Sequence, residues 1–160
     1  MKRKVELVVI SDVHLGTYGS RAAELVVYLK SVDPETLVLN GDIIDIWQFS
    51  KRYFPAAHME VLKSIASMLT NGTKVFYITG NHDEMLRKFK GFKMGGLEIQ
   101  NKLLLNLPTG KAWIFHGDVF DATTKGSAKL LAKLGGHGYD LLILINSLIN
   151  RCLKLMGREK

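Results

Sequence analysis

Four short clusters concentrate the side chains able to do chemistry: Asp12-Val13-His14, Gly41-Asp42-Ile43-Ile44-Asp45, Gly80-Asn81-His82-Asp83 and His116-Gly117-Asp118. Together they offer carboxylate oxygens, imidazole nitrogens and one amide oxygen. That mixture suits Mn2+, Fe or Zn2+ better than a metal that prefers thiolate. The second cluster poses the sharpest question. Asp42 and Asp45 interrupt the run Leu39–Trp47, whose other residues are mostly apolar and read as core. A buried carboxylate without a partner is costly. Either the chain leaves the core at the end of a strand there, or something positive meets the two aspartates.

The elements that must position these clusters follow from hydrophobic periodicity. Val5–Ile10 is a dense apolar run and reads as a buried strand ending in Ser-Asp-Val-His. Ser20–Ser31 carries Ala22, Leu25, Val26 and Leu29 at helical spacing, with Ser20 as the expected N-cap. Thr36–Leu39 reads as the next strand, ending in Asn-Gly-Asp. Residues 55–70 read as a helix that starts near Pro55 and stops at Asn71-Gly72. Lys74–Ile78 is a third strand, ending in Gly-Asn-His-Asp. Leu97–Leu107 reads as a strand pair or hairpin, and Trp113–Phe115 as a strand ending in His-Gly-Asp. Helices are expected over 127–134 and 140–156.

Alternating strands and helices argue for a mainly parallel sheet covered by helices. Such sheets bind ligands beyond the carboxyl ends of their strands. All four clusters close a predicted strand, so the topology gathers them along one edge. Taken singly, each has a plainer reading: Asp-x-His as a turn, Gly-Asn-His-Asp as a loop with Asp83 capping a helix, His116 as a core histidine. Their joint placement favours a metal site. Asp83 is left between helix capping and a role in the site. Arg87, one turn further on, is left between reaching a substrate phosphate and a solvated surface.

The motifs "SDVHLG", "NGDIIDIW", "TGNHDEMLR" and "FHGDVFD" resemble the signature blocks of the calcineurin-like metallophosphoesterases. Within that superfamily, "HGDVFD" followed by "GGHGYDLLILINSLINR" is most similar to the UDP-2,3-diacylglucosamine pyrophosphatases of lipid A synthesis. One departure is His82, where that group tends to carry arginine. The resemblance implies an αββα sandwich. It also implies two divalent cations, Mn2+ before Zn2+ or Fe, held by Asp12, His14 and Asp42 on one side and by Asp42, Asn81 and His116 on the other. Asp42 would bridge the pair. His82 would face the phosphoryl group as hydrogen-bond donor or acid, and Asp45 would orient it and keep it protonated. An activated water would attack phosphorus in line.

The last block of the signature, Gly-His-x-His, has no counterpart; His137 in "GGHGYD" reads as a loop residue. The expectation is a single domain over 1–160, truncated at the C-terminus to roughly the N-terminal two-thirds of the family fold. A helical segment near 121–157 would form a cap. Within it, Asn146, Ser147, Asn150, Arg151 and Lys154 make a polar stripe against a wide apolar face. That face reads as packed on the core or resting on acyl chains or a membrane surface.

The formal net charge of +7 favours anionic partners: phosphates, acidic lipid surfaces or nucleic acid. No interleaved stacking platform of aromatic and basic residues is evident, so nucleic acid ranks lower. The single cysteine, Cys152, excludes an internal disulfide and fits a reducing compartment. The expected location is cytoplasmic, peripheral to the inner membrane, with self-association through exposed apolar surface. The expected substrate carries phosphate, as a lipid-linked nucleotide does, and the reaction is hydrolysis of a phosphoric anhydride or ester. The alternatives are a phosphodiesterase or nuclease, and a non-catalytic lipid-binding or assembly module with an incomplete metal site.

Overall fold

Two apolar faces on one set of strands dictate the architecture. In the computed structural model, which describes residues 2–47, 53–107, 110–120 and Ile145, β1 (Arg3–Ile10), β2 (Val32–Asn40) and β3 (Lys74–Ile78) run parallel. β5 (Leu97–Gln100) adds in parallel to β3, and the short β4 (Lys93–Met94) pairs antiparallel at the edge. The sheet order is β1-β2-β3-β5-β4. A second sheet pairs β6 (Leu103–Leu107) with β7 (Gly110–Ile114), antiparallel.

Successive side chains of a strand point to opposite faces. On β2 and β3, Leu37, Leu39, Val75 and Tyr77 therefore meet the helices, while Val38, Phe76 and Ile78 meet the second sheet. Helix α1 (Ala22–Ser31) contributes Ala22 and Leu29 to the first core, and helix α2 (Ala56–Thr70) contributes Val61, Ile65 and Met68. The second core is Val38, Ile78 and Leu103, with Leu7, Phe76, Leu105 and Ile114 against it. Each such side chain, fully buried, contributes about 1.5–3 kcal/mol. The described residues thus form a helix layer, a five-stranded sheet and a two-stranded sheet, in that order.

The strand–helix–strand–helix–strand reading holds, and so does the start of α2 directly after Pro55. Two local expectations need correction. Ser20 does not cap α1; its hydroxyl donates to the Val13 carbonyl at 2.7 Å, and Arg21 occupies the cap position. β5 and β6 are not a hairpin, because β5 completes the first sheet while β6 belongs to the second. The segment after Asp83 is a 3-10 helix, Glu84–Phe89. The helices expected over 127–134 and 140–156, with His137 and the cap, lie outside the described residues, apart from Ile145, which is helical and exposed. Among the described residues, no helix is long and apolar enough to cross a membrane.

Candidate metal centre

Strand pairing does not stop where the strands do. Beyond β1 and β2 the two loops continue to bond: Asp12 N–H donates to Gly41 O (3.1 Å), His14 N–H to Asp42 O (2.9 Å) and Leu15 N–H to Ile43 O (2.9 Å). Asp45 N–H returns to Leu15 O at 3.0 Å. Gly41 N–H is held by Ile78 O of β3, and Ile46 N–H by His82 O. Three loops are thereby locked to one another before any side chain is counted.

This locking holds strained backbone. Asp12, His14 and Asp42 have φ of 55°, 50° and 53°, and among the described residues no other non-glycine has positive φ. Each such residue costs on the order of 1–3 kcal/mol and tends to mark a functional site. In extended backbone Asp12 and His14 would project to one side. Left-handed φ at both breaks the alternation, and the two residues enter different donor groups. Asp12 joins Asp42 and His116; His14 joins Asp42 and His82.

Asp42 is the hub of both groups. Its carboxylate is buried, with Oδ1 accepting the His82 N–H at 2.9 Å. Its Oδ2 is approached by the Nε2 atoms of three imidazoles: His116 at 3.4 Å, His14 at 3.9 Å and His82 at 4.0 Å. The opposite nitrogen of each ring is committed elsewhere. His116 Nδ1 lies 3.1 Å from Asn40 O, while His82 Nδ1 and His14 Nδ1 lie 2.7 Å and 3.4 Å from Asp45 Oδ2. A carbonyl or carboxylate on one ring nitrogen orients the ring and leaves the other to a ligand.

Two glycines make the approach possible. A Cβ at Gly80 would collide with the Asp42 carboxylate, and one at Gly41 (φ 76°) with the His116 ring. His116 comes from the other sheet, just after β7. It is seated by a clasp in which Asn40 Nδ2 donates to Phe115 O at 3.4 Å.

The electrostatics follow from this company. Burial raises the Asp42 carboxyl, but the His116 hydrogen bond, the His82 N–H and both imidazole charges outweigh it, so its pKa falls below the usual carboxylate value. The Asp42 hydrogen bond lifts His116 to about 9 against its desolvation. Burial lowers His82, yet the bond and charge of Asp45 prevail and its pKa is raised. The question posed by the two aspartates thus has a structural answer. Asp42 and Asp45 are buried at the strand end because imidazoles meet both.

A carboxylate–imidazole set whose donor atoms all lie within 4.8 Å of one another fits a divalent cation of the Mn2+, Fe or Zn2+ kind. Ligands at about 2.0–2.2 Å from a common ion lie at most about 4.4 Å apart, so a small inward shift of the side chains would close either group on a cation. Asn81 lies half-buried in the same loop, between Gly80 and His82, where its amide oxygen could complete a set.

The two residues left open by the sequence are placed elsewhere. Asp83 occupies the cap position of the next helix but makes no side-chain capping bond there, and it does not face solvent. It is fully buried, accepts the Gly80 N–H (2.6 Å) and Tyr77 hydroxyl (2.6 Å), and also the Ile43 N–H (3.0 Å). Burial is the largest influence on it and leaves its pKa raised. Arg87 is half-buried, with Nη2 donating to Gly80 O at 3.2 Å and paired with Asp118. It ties the His82 loop to the loop after β7.

Three neighbours escaped the sequence reading. The Trp47 ring lies over His82, with centroids 4.7 Å apart at 33°. Tyr77 pins Asp83 from β3. His58, buried on α2, accepts the Gly16 N–H at Nδ1 (3.0 Å) and so braces the loop carrying His14. Only His58 left a signal: it sits on the apolar stripe of α2 with Val61, Ile65 and Met68, where a histidine is out of place.

The chain is similar to several known proteins. Two curated relatives are both called UDP-2,3-diacylglucosamine hydrolase. That of Blochmanniella pennsylvanica is 25% identical over 122 residues, covering 74% of this chain and 48% of that protein. That of Wigglesworthia glossinidia brevipalpis is 28% identical over 126 residues, 75% and 49%. The chain spans about half the length of these relatives. A solved structure, the Pseudomonas putida nuclease MPE, aligns at TM-score 0.39 and 21% identity, over 64% of this chain and 50% of that one; so low a likeness carries no argument. The calcineurin-like phosphoesterase model matches residues 5–151, nearly the whole chain. Sequence blocks, strained donor loops and this match converge: the chain belongs to the calcineurin-like phosphoesterase family.

Proposed function

We propose that the chain carries the centre of a dinuclear, metal-dependent phosphohydrolase that cleaves a phosphoric anhydride or ester. The substrate we favour is a lipid-linked nucleotide similar to UDP-2,3-diacylglucosamine, split to release UMP. The observation that carries this reading is the convergence of three imidazole Nε2 atoms on one oxygen of Asp42. The names of the two relatives support the substrate class.

In this reading Asp12, His14, Asp42, Asn81 and His116 would hold two cations, with Asp42 contributing to both. Mn2+ is the favoured ion. When bound, the cations supply Lewis acidity at phosphorus and a lowered pKa for the attacking water. With two cations bound, the shared Asp42 carboxylate would offset repulsion between them. His82, tethered through Nδ1 to Asp45, presents Nε2 to the phosphoryl group and donates a hydrogen bond or proton to the departing oxygen. Asp45 acts through His82: its charge favours the protonated ring. Trp47 covers one face of that ring and limits its rotation. The reaction would take place in the cytoplasm at the membrane surface, where an acylated nucleotide partitions.

The test is hydrolysis of UDP-2,3-diacylglucosamine by the purified chain with and without Mn2+, read as UMP release. Metal-dependent UMP release is the expected result. Turnover of aryl phosphates or oligonucleotides without turnover of this substrate would overturn the substrate assignment. Liposome binding that survives chelation, with no turnover of any phosphate ester, would overturn the enzymatic one.

A further inference from the structure

The segment that follows the His82 loop mixes two kinds of residue on one exposed edge. From Met85 to Leu97 it carries four basic residues and no acid. All nine residues from Lys88 to Gly96 are exposed, among them Phe89 (54%), Phe92 (46%) and Met94 (63%). Lys88, Lys90 and Lys93 are interleaved with these three apolar side chains. Single exposed apolar residues are ordinary, but three within six residues form a patch.

The backbone fixes this exposure. Lys90 N–H donates to Arg87 O (3.2 Å) and Phe92 N–H to Phe89 O (2.9 Å). Gly91 N–H donates to Ile99 O (2.8 Å) and Ile99 N–H to Phe92 O (3.0 Å), while Lys93 and Met94 pair with Glu98 and Leu97. The turn from Phe89 to Phe92 is thereby tied to Ile99, one residue short of the carboxyl end of β5. The metal centre lies at that same end of the sheet. Arg87, just before the turn, donates to Gly80 O of the metal loop and pairs with Asp118.

Charge decides what such an edge takes. Lysines alone on a sheet edge keep other strands away, but two phenylalanines and a methionine beside them work against that. Lys93 is paired with Glu98 at 3.1 Å, whereas Lys88 and Lys90 have no acidic partner among the described residues. Lysine stems lie along apolar surface while their ammonium groups stay in water. Apolar anchors flanked by ammonium groups match a bilayer surface, where acyl chains lie beneath anionic headgroups. We propose that Phe89, Phe92 and Met94, with Lys88 and Lys90, form a docking edge for an anionic lipid bilayer. It rests on the phosphohydrolase reading only for its use, which is to hold the carboxyl end of the sheet against the layer that carries an acylated substrate. Binding by itself requires no turnover.

The experiment is co-sedimentation of the purified chain, in EDTA, with phosphatidylglycerol–phosphatidylcholine vesicles and with vesicles of phosphatidylcholine alone. Binding to the anionic vesicles is expected, weaker at high salt, and little binding to the neutral ones. Phe89→Ser with Phe92→Ser should weaken it about tenfold or more, since both side chains lose burial in lipid. Lys88→Glu with Lys90→Glu should weaken it by a similar factor. Two controls should leave it unchanged: Lys2→Glu with Lys4→Glu, equal in charge and before or within β1 at the other edge of the sheet, and Val27→Ser, exposed on α1. All the changed residues are exposed, and unaltered circular dichroism checks that each variant folds. Equal weakening by the two lysine pairs means general attraction to a basic chain and overturns the proposal. So does full binding by the phenylalanine variant, or no binding by the unaltered chain. Self-association abolished in the phenylalanine variant, with vesicle binding intact, assigns the edge to a second copy instead and overturns it too. Absence of UMP release fails the substrate reading, and the vesicle result stands or falls without it.

Discussion

Asp42 and Asp83 lie in neighbouring loops at one edge of the same sheet, each with almost no exposed surface, yet their oxygens face different company. Asp83 meets neutral donors from three sides: two backbone N–H groups and the Tyr77 hydroxyl. Its hydrogen bonds link the Gly80 loop to the Gly41 loop, and its raised pKa reflects a burial that these partners do not fully offset. Asp42 spends one oxygen on a backbone N–H and turns the other toward three imidazoles, of which only His116 is near enough to hydrogen-bond and His14 and His82 stand beyond that reach. Its backbone is strained, and that of Asp83 is not. A carboxylate whose partners are satisfied is scaffold. One held under strain with an oxygen aimed at surplus ligand atoms is a candidate binding site.

The comparison breaks most sharply at Asp42. Asp42→Asn should remove activity and lower metal content at both positions, because a single carboxylate serves two donor sets; elemental analysis of the gel-filtered variant reads this. Full occupancy would contradict the bridging role. Next in size, His82→Ala should cut turnover about 10²–10⁴-fold, the range for acid–base groups, with metal retained. Asp45→Asn should lose less in the same direction. If His82→Ala sheds metal as readily as Asp42→Asn, His82 is a ligand, as its place beside His14 and Asp42 allows.

Asp83 predicts the reverse profile. Asp83→Ala leaves two buried N–H groups and a tyrosine hydroxyl without their acceptor, and should cost about 3 kcal/mol or more of stability, read from the urea midpoint. Asp83→Asn, which keeps an acceptor oxygen, should recover part of it. An Asp83→Ala chain of unchanged stability would end the distinction drawn here.

The smallest effect concerns His58. Burial lowers its pKa, so the native ring stays neutral while accepting the Gly16 N–H. The unfolded chain takes up a proton near pH 6.5, the native one only below that. Stability contributed by His58 is therefore full above about 6.5 and lost as pH falls toward its native pKa, by at most about 1.4 kcal/mol per pH unit. His82 and His116 are shifted upward and act with the opposite sign. The informative quantity is the difference between the unaltered chain and His58→Gln, whose stability should depend less steeply on pH between 5 and 6.5. Parallel pH curves for the two chains would refute the neutral-brace assignment.

Much of this was legible in the residues. Short apolar runs marked β1, β2 and β3, and helical spacing with start and stop signals marked α1 and α2, because burial and chain reversal leave a trace in residue type. The edge on which the clusters gather followed from each cluster closing a strand of a parallel sheet. What escaped depends on contacts between distant segments. Arg87 was left between substrate and solvent; its pairing with Asp118, thirty-one residues on, was invisible. Asp83 looked like a helix cap, since nothing local announces Tyr77 and Ile43 as its partners.

The sequence by itself determined the supply: which donor atoms exist, which strands deliver them and to which end of the sheet. These are properties of residue type and of local periodicity, and they need no knowledge of the third dimension. Only the tertiary structure decided how the donors divide. Left-handed turns at Asp12 and His14 send neighbouring residues into different groups, and the clasp of Asn40 with Phe115 and His116 brings the second sheet's imidazole to Asp42. Backbone strain of that kind persists only where long-range hydrogen bonds hold it, and those bonds come from loops far apart in the chain.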